Sequence, residues 1–340
     1  MNTKYYVGLD IAAETFVACV LQAPSRVVAQ PRSFANETAG YDELEVWLRQ
    51  QDVTPASAVL CMEATGVYGE GLAYHLSAHE WWLAVAPPLE VKRAFAPVGH
   101  KTDPVDSRQI GEYAARFHDQ LHRFVPKKAV LEQVKVLLQL REQYVQQKTA
   151  HLNALQALRR KVTRTPLAEA LHEQSISQLK QHITTIETEI AKLLDQDPDL
   201  RQQVGLLLTI PGVGLLLASH IVVLTATMRD PLNPKAIAAH LGICPYQHRS
   251  GASVRRRDAS RHFGPSTIRK LLHLAARSRC THYPASRHYY ERKVAAGKPK
   301  RLVLNNMANR LLRVICAVLK TRQPFLPDYQ AVPPRQFKTA

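Results

Sequence analysis

The sequence predicts an α/β domain built on a mixed sheet, then an antiparallel helical hairpin, then a basic and mostly helical C-terminal region. Three observations carry that prediction. Before residue 125, short β-branched and aromatic runs alternate with stretches of helical spacing. Between 127 and 200, two apolar seams meet at a Thr-Arg-Thr-Pro break. Charge is also split between the ends: residues 1–125 hold 10 Lys/Arg against 15 Asp/Glu, and residues 201–340 hold 24 against 4, so the net +17 belongs to one end of the chain.

The run Tyr5 to Leu21 is interrupted at Asp10-Ile11-Ala12-Ala13 and reads as a hairpin with Asp10 at the end of its first strand. A third strand follows around Val27 to Phe34. Leu44, Trp47 and Leu48 stand at helical spacing within Tyr41 to Gln50, and Ala58 to Met62 is a short buried strand ending at Glu63. A helix near Tyr68 to Glu80, a strand near Trp82 to Val85 and a helix from about Pro104 to Phe117 complete a β-β-β-α-β-α-β-α order. Leu131, Val134, Leu138, Val145, Leu152, Leu155 and Val162 form the first seam, and Ile176, Leu179, Ile183, Ile186, Ile190, Leu193 and Leu200 the second. The hairpin serves as a spacer or, better, a dimerisation arm. Further helices are expected near Val204–Thr209, Gly214–Thr225, Lys235–Leu241, Pro265–Arg279 and Leu302–Thr321, with Gly242 to Gly264 as a loop. The domains are then 1–125, 126–200 and 201–322, with a Pro-rich tail over 323–340 that does not fold on its own.

With 340 residues, 46% of them hydrophobic, the chain has enough apolar material for two or three cores. No apolar run approaches the roughly 18–20 uncharged residues of a membrane span, and the N-terminus runs straight into a strand instead of a signal peptide, so a cytoplasmic protein with no membrane partner is expected. Five cysteines without a C-x-x-C pair support neither a disulfide framework nor a zinc knuckle. A region at net +20 displaces condensed counterions from many phosphates, which favours nucleic acid over a membrane-facing patch as its partner.

The chemistry rests on four acids. Phosphodiester cleavage needs the charge on non-bridging and leaving oxygens offset, and two Mg²⁺ held by carboxylates on rigid elements do this. Asp10 and Glu63 end strands, while Asp103 and Asp106 are three apart at a helix entry and so share one face. Asp103 before Pro104 also reads as a helix N-cap, and Asp106 as a first-turn acid favoured by the helix dipole. Downstream, Pro211-Gly212-Val213-Gly214 between two apolar helices reads as a helix-hairpin-helix turn whose glycines let backbone approach a phosphate, or as an ordinary tight turn. Ser250 lies among Arg249, Arg255, Arg256 and Arg257; taken alone it is a polar turn residue before Gly251.

Gly8-Leu9-Asp10, Met62-Glu63-Ala64-Thr65-Gly66 and Lys101-Thr102-Asp103-Pro104-Val105-Asp106, followed by Ile210-Pro211-Gly212-Val213-Gly214, Leu241-Gly242-Ile243-Cys244-Pro245, Ser250-Gly251 and Gly264 with Ile268-Arg269-Lys270-Leu271-Leu272, arrive in that order. Over about residues 4–322 the chain resembles the DEDD-type transposases of insertion-sequence family one hundred and ten. The resemblance implies a ribonuclease-H-like (RuvC-like) N-terminal domain. It makes Asp10, Glu63, Asp103 and Asp106 the Mg²⁺-binding acids and Ser250 a nucleophile that forms a phosphoserine link with cleaved DNA. It further implies a structured noncoding bridge RNA that pairs with target and donor DNA, and a dimer or tetramer acting at the bacterial nucleoid. The candidate nucleic-acid contacts are Lys101, Pro211, Gly212, Gly214, Arg249, Gly251, Arg255, Arg256, Arg257, Arg261, Arg269 and Lys270. The stretch Ala259-Ser260-Arg261-His262-Phe263-Gly264 departs from the family's Ile-Ser-Lys-x-Gly, which leaves the detailed roles of Ser260 and Arg261 open.

Two alternatives stay in view. One is a RuvC-like nuclease using metal-activated water, with Ser250 structural; the other is a nonenzymatic nucleic-acid-binding protein whose carboxylates are caps and surface acids. The H-x₃-H pairs His75/His79 and His118/His122 lack Glu or Cys at zinc-site spacing and are expected to be surface residues.

Overall fold

In the computed structural model, residues 4–22, 26–64, 66–95, 102–228, 230–250, 254–260 and 264–327 are described, with backbone alone for 245–250 and 254–260. The chain divides into two compact units, residues 1–126 and 127–340.

In the first unit, β1 (Tyr5–Ile11), β2 (Thr15–Gln22) and β3 (Arg26–Ala35) form an antiparallel meander; α1 (Thr38–Gln50) leads into β4 (Ala58–Glu63), and α2 (Glu70–Ala78) into β5 (Leu83–Ala86). Helices α3 (Pro88–Arg93) and α4 (Asp103–Arg116) follow. The sheet order is β3-β2-β1-β4-β5, with β4 parallel to β1 and β5 parallel to β4. The sheet is mixed, as expected. The short α3 was not foreseen; Pro88 at its start presets the helical φ after a β-region residue. Central β1 has helices on both faces and is therefore apolar nearly throughout. Tyr5, Val7, Leu9 and Ile11 pack with Leu44, Trp47 and Leu48 of α1 and with Leu72 and Leu76 of α2. Tyr6 packs on the opposite face with Val91 of α3 and with Ile110, Tyr113 and Ala114 of α4.

In the second unit, α5 (Ala129–Arg159) and α6 (Pro166–Gln196) form an antiparallel hairpin, with Arg141 bonded to Glu187 at 2.7 Å and His151 to His172 at 2.9 Å. The seams hold with exceptions toward the tip. Leu131, Val134, Leu138, Leu155 and Ile176 are buried, whereas Leu152 is surface-exposed and Val162, beyond the end of α5, is fully so. In α6 the buried residue is Leu194 and not Leu193, because an untwisted helix drifts off a strict heptad. Asp197 ends α6 and caps α7 (Pro198–Leu208), accepting from the amides of Asp199 and Leu200 at 3.0 and 3.1 Å. Next come α8 (Leu215–Thr225), α9 (Pro234–His240), the hairpin β6 (Pro245–Ser250)/β7 (Val254–Ser260), α10 (Ser266–His282), α11 (Pro284–Ala295) and α12 (Lys300–Thr321). One core joins the base of the α5/α6 hairpin to α7, α8, α9, α10 and α12.

Two expectations need correction here. The segment read as a loop between Gly242 and Gly264 contains a β-hairpin, whose Arg- and Ser-rich strands lack the apolar alternation by which a strand is recognised. Helix α11 was missed because it has no buried residue, and so no stripe. Helix α12 is long and apolar enough on average to cross a membrane, but Arg310 and Arg313 interrupt it, so it is not an uncharged run, and Val303, Met307, Leu311, Leu312 and Ile315 on it belong to the protein core.

Candidate active site

A glycine contact assembles the acidic site. Gly8 on β1 lies so close to α4 that a Cβ there would sit 1.9 Å from the carbonyl oxygen of Ser107, and a Cβ on Gly111 would meet Leu21. Ser107 is completely buried and turns its hydroxyl back to the Pro104 carbonyl at 3.0 Å. Without side chains at Gly8 and Gly111, α4 rests directly on the strand, and its first turn, carrying Asp103 and Asp106, reaches the end of β1 where Asp10 stands.

Side-chain alternation puts the acids on one face. Tyr6 points toward α4, so Asp10, four residues on, does too. Leu9 pairs in parallel with Met62, which sets Asp10 beside Glu63 one residue further along both strands; Val59 and Cys61 pack on the α4 side, and Glu63 has their parity. Asp10, Asp103 and Asp106 line one cleft of about 310 Å³ together with Thr15 and Thr102, and its described lining holds no Lys, Arg or His. Glu63 is on the same sheet face, one strand away, outside that lining. The N-cap of α4 is Thr102, so Asp103 is the first helical residue and not the cap.

An all-oxygen donor set on a strand end and a helix start fits a hard divalent cation. Among the described residues no three of the four carboxylates approach within 4.8 Å of one another. The neighbouring thiols offer no soft alternative. Burial, with a smaller contribution from the charge of Glu63, pushes Cys61 up to about 12, and burial pushes Cys19 up to about 11.

Asn36, which the sequence did not single out, ties the margins of the site together. Its side-chain amide donates to the carbonyls of Ala12 (2.9 Å) and Ala13 (3.4 Å) in the turn after Asp10, and to that of Tyr68 (3.0 Å) beyond Glu63; its oxygen accepts from the Tyr41 hydroxyl at 2.8 Å. Only tertiary structure reveals it, because the three carbonyls it donates to are 23, 24 and 32 residues away.

In the second unit Gly212 adopts φ +84°, and a Cβ there would lie 2.8 Å from the Ala275 carbonyl, so this glycine admits α10. Gly214 is the N-cap of α8, and a Cβ there meets nothing within 4 Å; Pro211 is half-buried in the turn before it. Arg269 donates to the Leu241 carbonyl at 3.0 Å, and Lys270 pairs with Glu142 at 3.1 Å. Ser250 is the last residue of β6, opposite Val254; Arg249 is opposite Arg255 and His248 opposite Arg256, and Arg257 follows in β7. Ser250 thus ends a strand at the hairpin's turn. Lys101, Gly251 and Arg261 lie outside the described residues.

One histidine expectation is overturned. His79, His118 and His122 are exposed as expected, but His75 is half-buried, and it and His79 converge on the buried Glu45 of α1, a partner 30 or more residues upstream that no local spacing could disclose.

Residues 7–162 match a transposase family model of the DEDD type, and residues 204–291 match the model described as Transposase IS116/IS110/IS902 family. Among curated proteins the chain is similar to the "Pilin gene-inverting protein" of Moraxella lacunata and to that of Moraxella bovis. Each is 27% identical over 326 residues, covering 95% of this chain and 98% of the relative. It is also similar to a "Probable family 20 transposase" of Pseudomonas aeruginosa, 26% identical over 94% of this chain and 98% of the relative.

Proposed function

The chain belongs to the IS116/IS110/IS902 family of transposases and is an enzyme that acts on DNA; from that premise we propose that it cuts and exchanges DNA strands at sites selected by a structured noncoding RNA, using Mg²⁺ and a serine nucleophile. The convergence of Asp10, Asp103 and Asp106 on one cleft carries the reading. The strand order β3-β2-β1-β4-β5, with acids at the ends of β1 and β4, supports a ribonuclease-H-like (RuvC-like) identity for the first unit.

Asp10, Glu63, Asp103 and Asp106 would hold two Mg²⁺, which would offset charge on the phosphate oxygens. The Ser250 hydroxyl oxygen attacks phosphorus, a serine–phosphate bond forms, one phosphodiester bond breaks, and the proton ends on the departing DNA hydroxyl. The bond count is conserved, so the reverse attack by a new DNA end rejoins strands without an external energy source. That economy suits the inversion named in the Moraxella relatives, which requires every cut strand to be resealed.

Arg249, Arg255, Arg256 and Arg257 on the β6/β7 hairpin hold the phosphate; Lys101, Gly251 and Arg261 are further nucleic-acid contacts of the same reading. Pro211, Gly212 and Gly214 in the α7–α8 turn, and Arg269 and Lys270 on α10, read the nucleic-acid backbone. The division of labour, in which RNA pairing reads sequence and protein reads backbone and shape, matches a C-terminal region of net charge +20. The α5/α6 hairpin is a coiled-coil arm of a dimer or tetramer whose active site joins acids and serine from different protomers. The setting is the bacterial cytoplasm, on nucleoid DNA.

The test is covalent trapping. Protein with its co-purified RNA, target and donor DNA and Mg²⁺ is expected to yield a protein–DNA adduct on a denaturing gel, absent in Ser250→Ala and in Asp10→Asn. Undiminished cleavage by Ser250→Ala would leave the metal-activated-water nuclease as the correct reading.

A further inference from the structure

Helix α1 carries Asp42 and Glu45 three residues apart. Helix α2 carries His75 four residues before His79, the residue that ends it, so each pair faces one way along its helix. The two helices pack on the sheet face opposite α4, where Leu44 and Leu72 belong to the same core. Glu45 is buried, its side chain only 7% exposed. Its Oε1 is 3.0 Å from His75 Nε2 and also contacts His79 Nδ1, while its other oxygen takes Arg49 at 3.3 Å. Asp42 Oδ1 lies 3.7 Å from the same His75 nitrogen. Ligand atoms of Glu45, His75 and His79 all fall within 4.8 Å of one another.

We propose that Glu45, His75 and His79, with Asp42 or water in the fourth place, form a zinc site that ties α1 to α2. Two imidazole nitrogens and one carboxylate oxygen are the donor set a borderline cation prefers, and Zn²⁺ bonds of about 2.0–2.2 Å imply ligand atoms about 3.4 Å apart in a tetrahedron. The 3.0 and 3.7 Å separations lie on either side of that value, while the Glu45–His79 pair is closer and would have to open to admit the ion. Arg49 holds the outer carboxylate oxygen, leaving Oε1 as the single inward donor, and Tyr41 fixes the imidazole of His75 with ring centres 5.4 Å apart. The 46% exposure of the His79 side chain provides an entry path for the ion. This centre is separate from the oxygen-lined cleft, and it does not depend on the proposed recombination chemistry.

The experiment uses untagged full-length protein, because a histidine tag would itself carry zinc. Metal content after gel filtration is expected near one zinc per chain in the wild type and in Asp10→Asn, and near zero in the His75→Ala/His79→Ala double variant. Chelator-stripped wild type is expected to melt at a higher temperature after one equivalent of Zn²⁺ and to give the visible bands of tetrahedral Co²⁺ on cobalt addition. His79→Cys, loaded with Co²⁺, should add a thiolate-to-cobalt charge-transfer band in the near ultraviolet, a direct reading that survives even if the double variant fails to fold. A wild-type protein that retains no zinc and takes up no cobalt after stripping, or zinc that persists without His75 and His79, overturns the proposal in favour of a metal-free hydrogen-bonded cluster.

Discussion

Replacing Gly8 with alanine perturbs the acidic cleft without touching an acid. The added methyl would sit 1.9 Å from the Ser107 carbonyl oxygen, about 1.5 Å inside the roughly 3.4 Å of ordinary contact. Neither atom belongs to a flexible side-chain end, since one is on a central strand and the other on helix backbone, so α4 itself must move. Overpacking of this kind costs about 1–3 kcal/mol. The unit is therefore expected to remain folded and to melt several degrees lower. The functional effect is larger, because a shift of α4 by about 1 Å carries Asp103 and Asp106 away from Asp10, and misplacements of that size cost on the order of 10²-fold in rate. Cleavage of a DNA substrate across a Mg²⁺ titration, paired with thermal denaturation of the same samples, reads both. Slow turnover with an increased Mg²⁺ requirement in a folded protein is expected. Wild-type cleavage and wild-type metal dependence in Gly8→Ala would refute the claim that the β1–α4 approach sets the cleft.

Asn36→Ala removes the amide that joins the turn after Asp10 to the loop after Glu63 and strands the Tyr41 hydroxyl; a stability loss of about 1–3 kcal/mol in urea denaturation and slower cleavage are expected. Leu138→Ala, at the hairpin base within the common core, should cost about 2–5 kcal/mol, whereas Val162→Ala at the exposed tip should leave the denaturation midpoint unchanged. Burial, together with Arg141 and Lys270, lowers His220 to about 4 from the ordinary 6.5. Below pH 6.5 the unfolded chain binds a proton that the folded chain refuses. The stability tied to neutral His220 is thus full above pH 6.5 and is lost as pH falls toward 4, with a slope of at most about 1.4 kcal/mol per pH unit. His220→Gln should flatten that acid limb in denaturation curves taken from pH 7 to pH 5; an unaltered limb would show that His220 is not its source.

The sequence by itself determined the strands of the first unit, the two long helices and the candidate acids, because burial on one or both faces writes a period into the chain and because strand ends and helix starts are local events. The same locality explains what it concealed. The strands β6 and β7 carry no apolar alternation and α11 buries no residue, so no apolar period marks either. Asn36 and the Glu45–His75–His79 group acquire meaning only from partners more than twenty residues away. The face shared by Asp10 and Glu63 was decided by strand register, and the approach of Asp103 and Asp106 by the absence of two side chains at Gly8 and Gly111. Period and capping are properties of neighbours along the chain; a cleft lined from a strand end and a helix start is a property of packing distance, which only the folded molecule specifies.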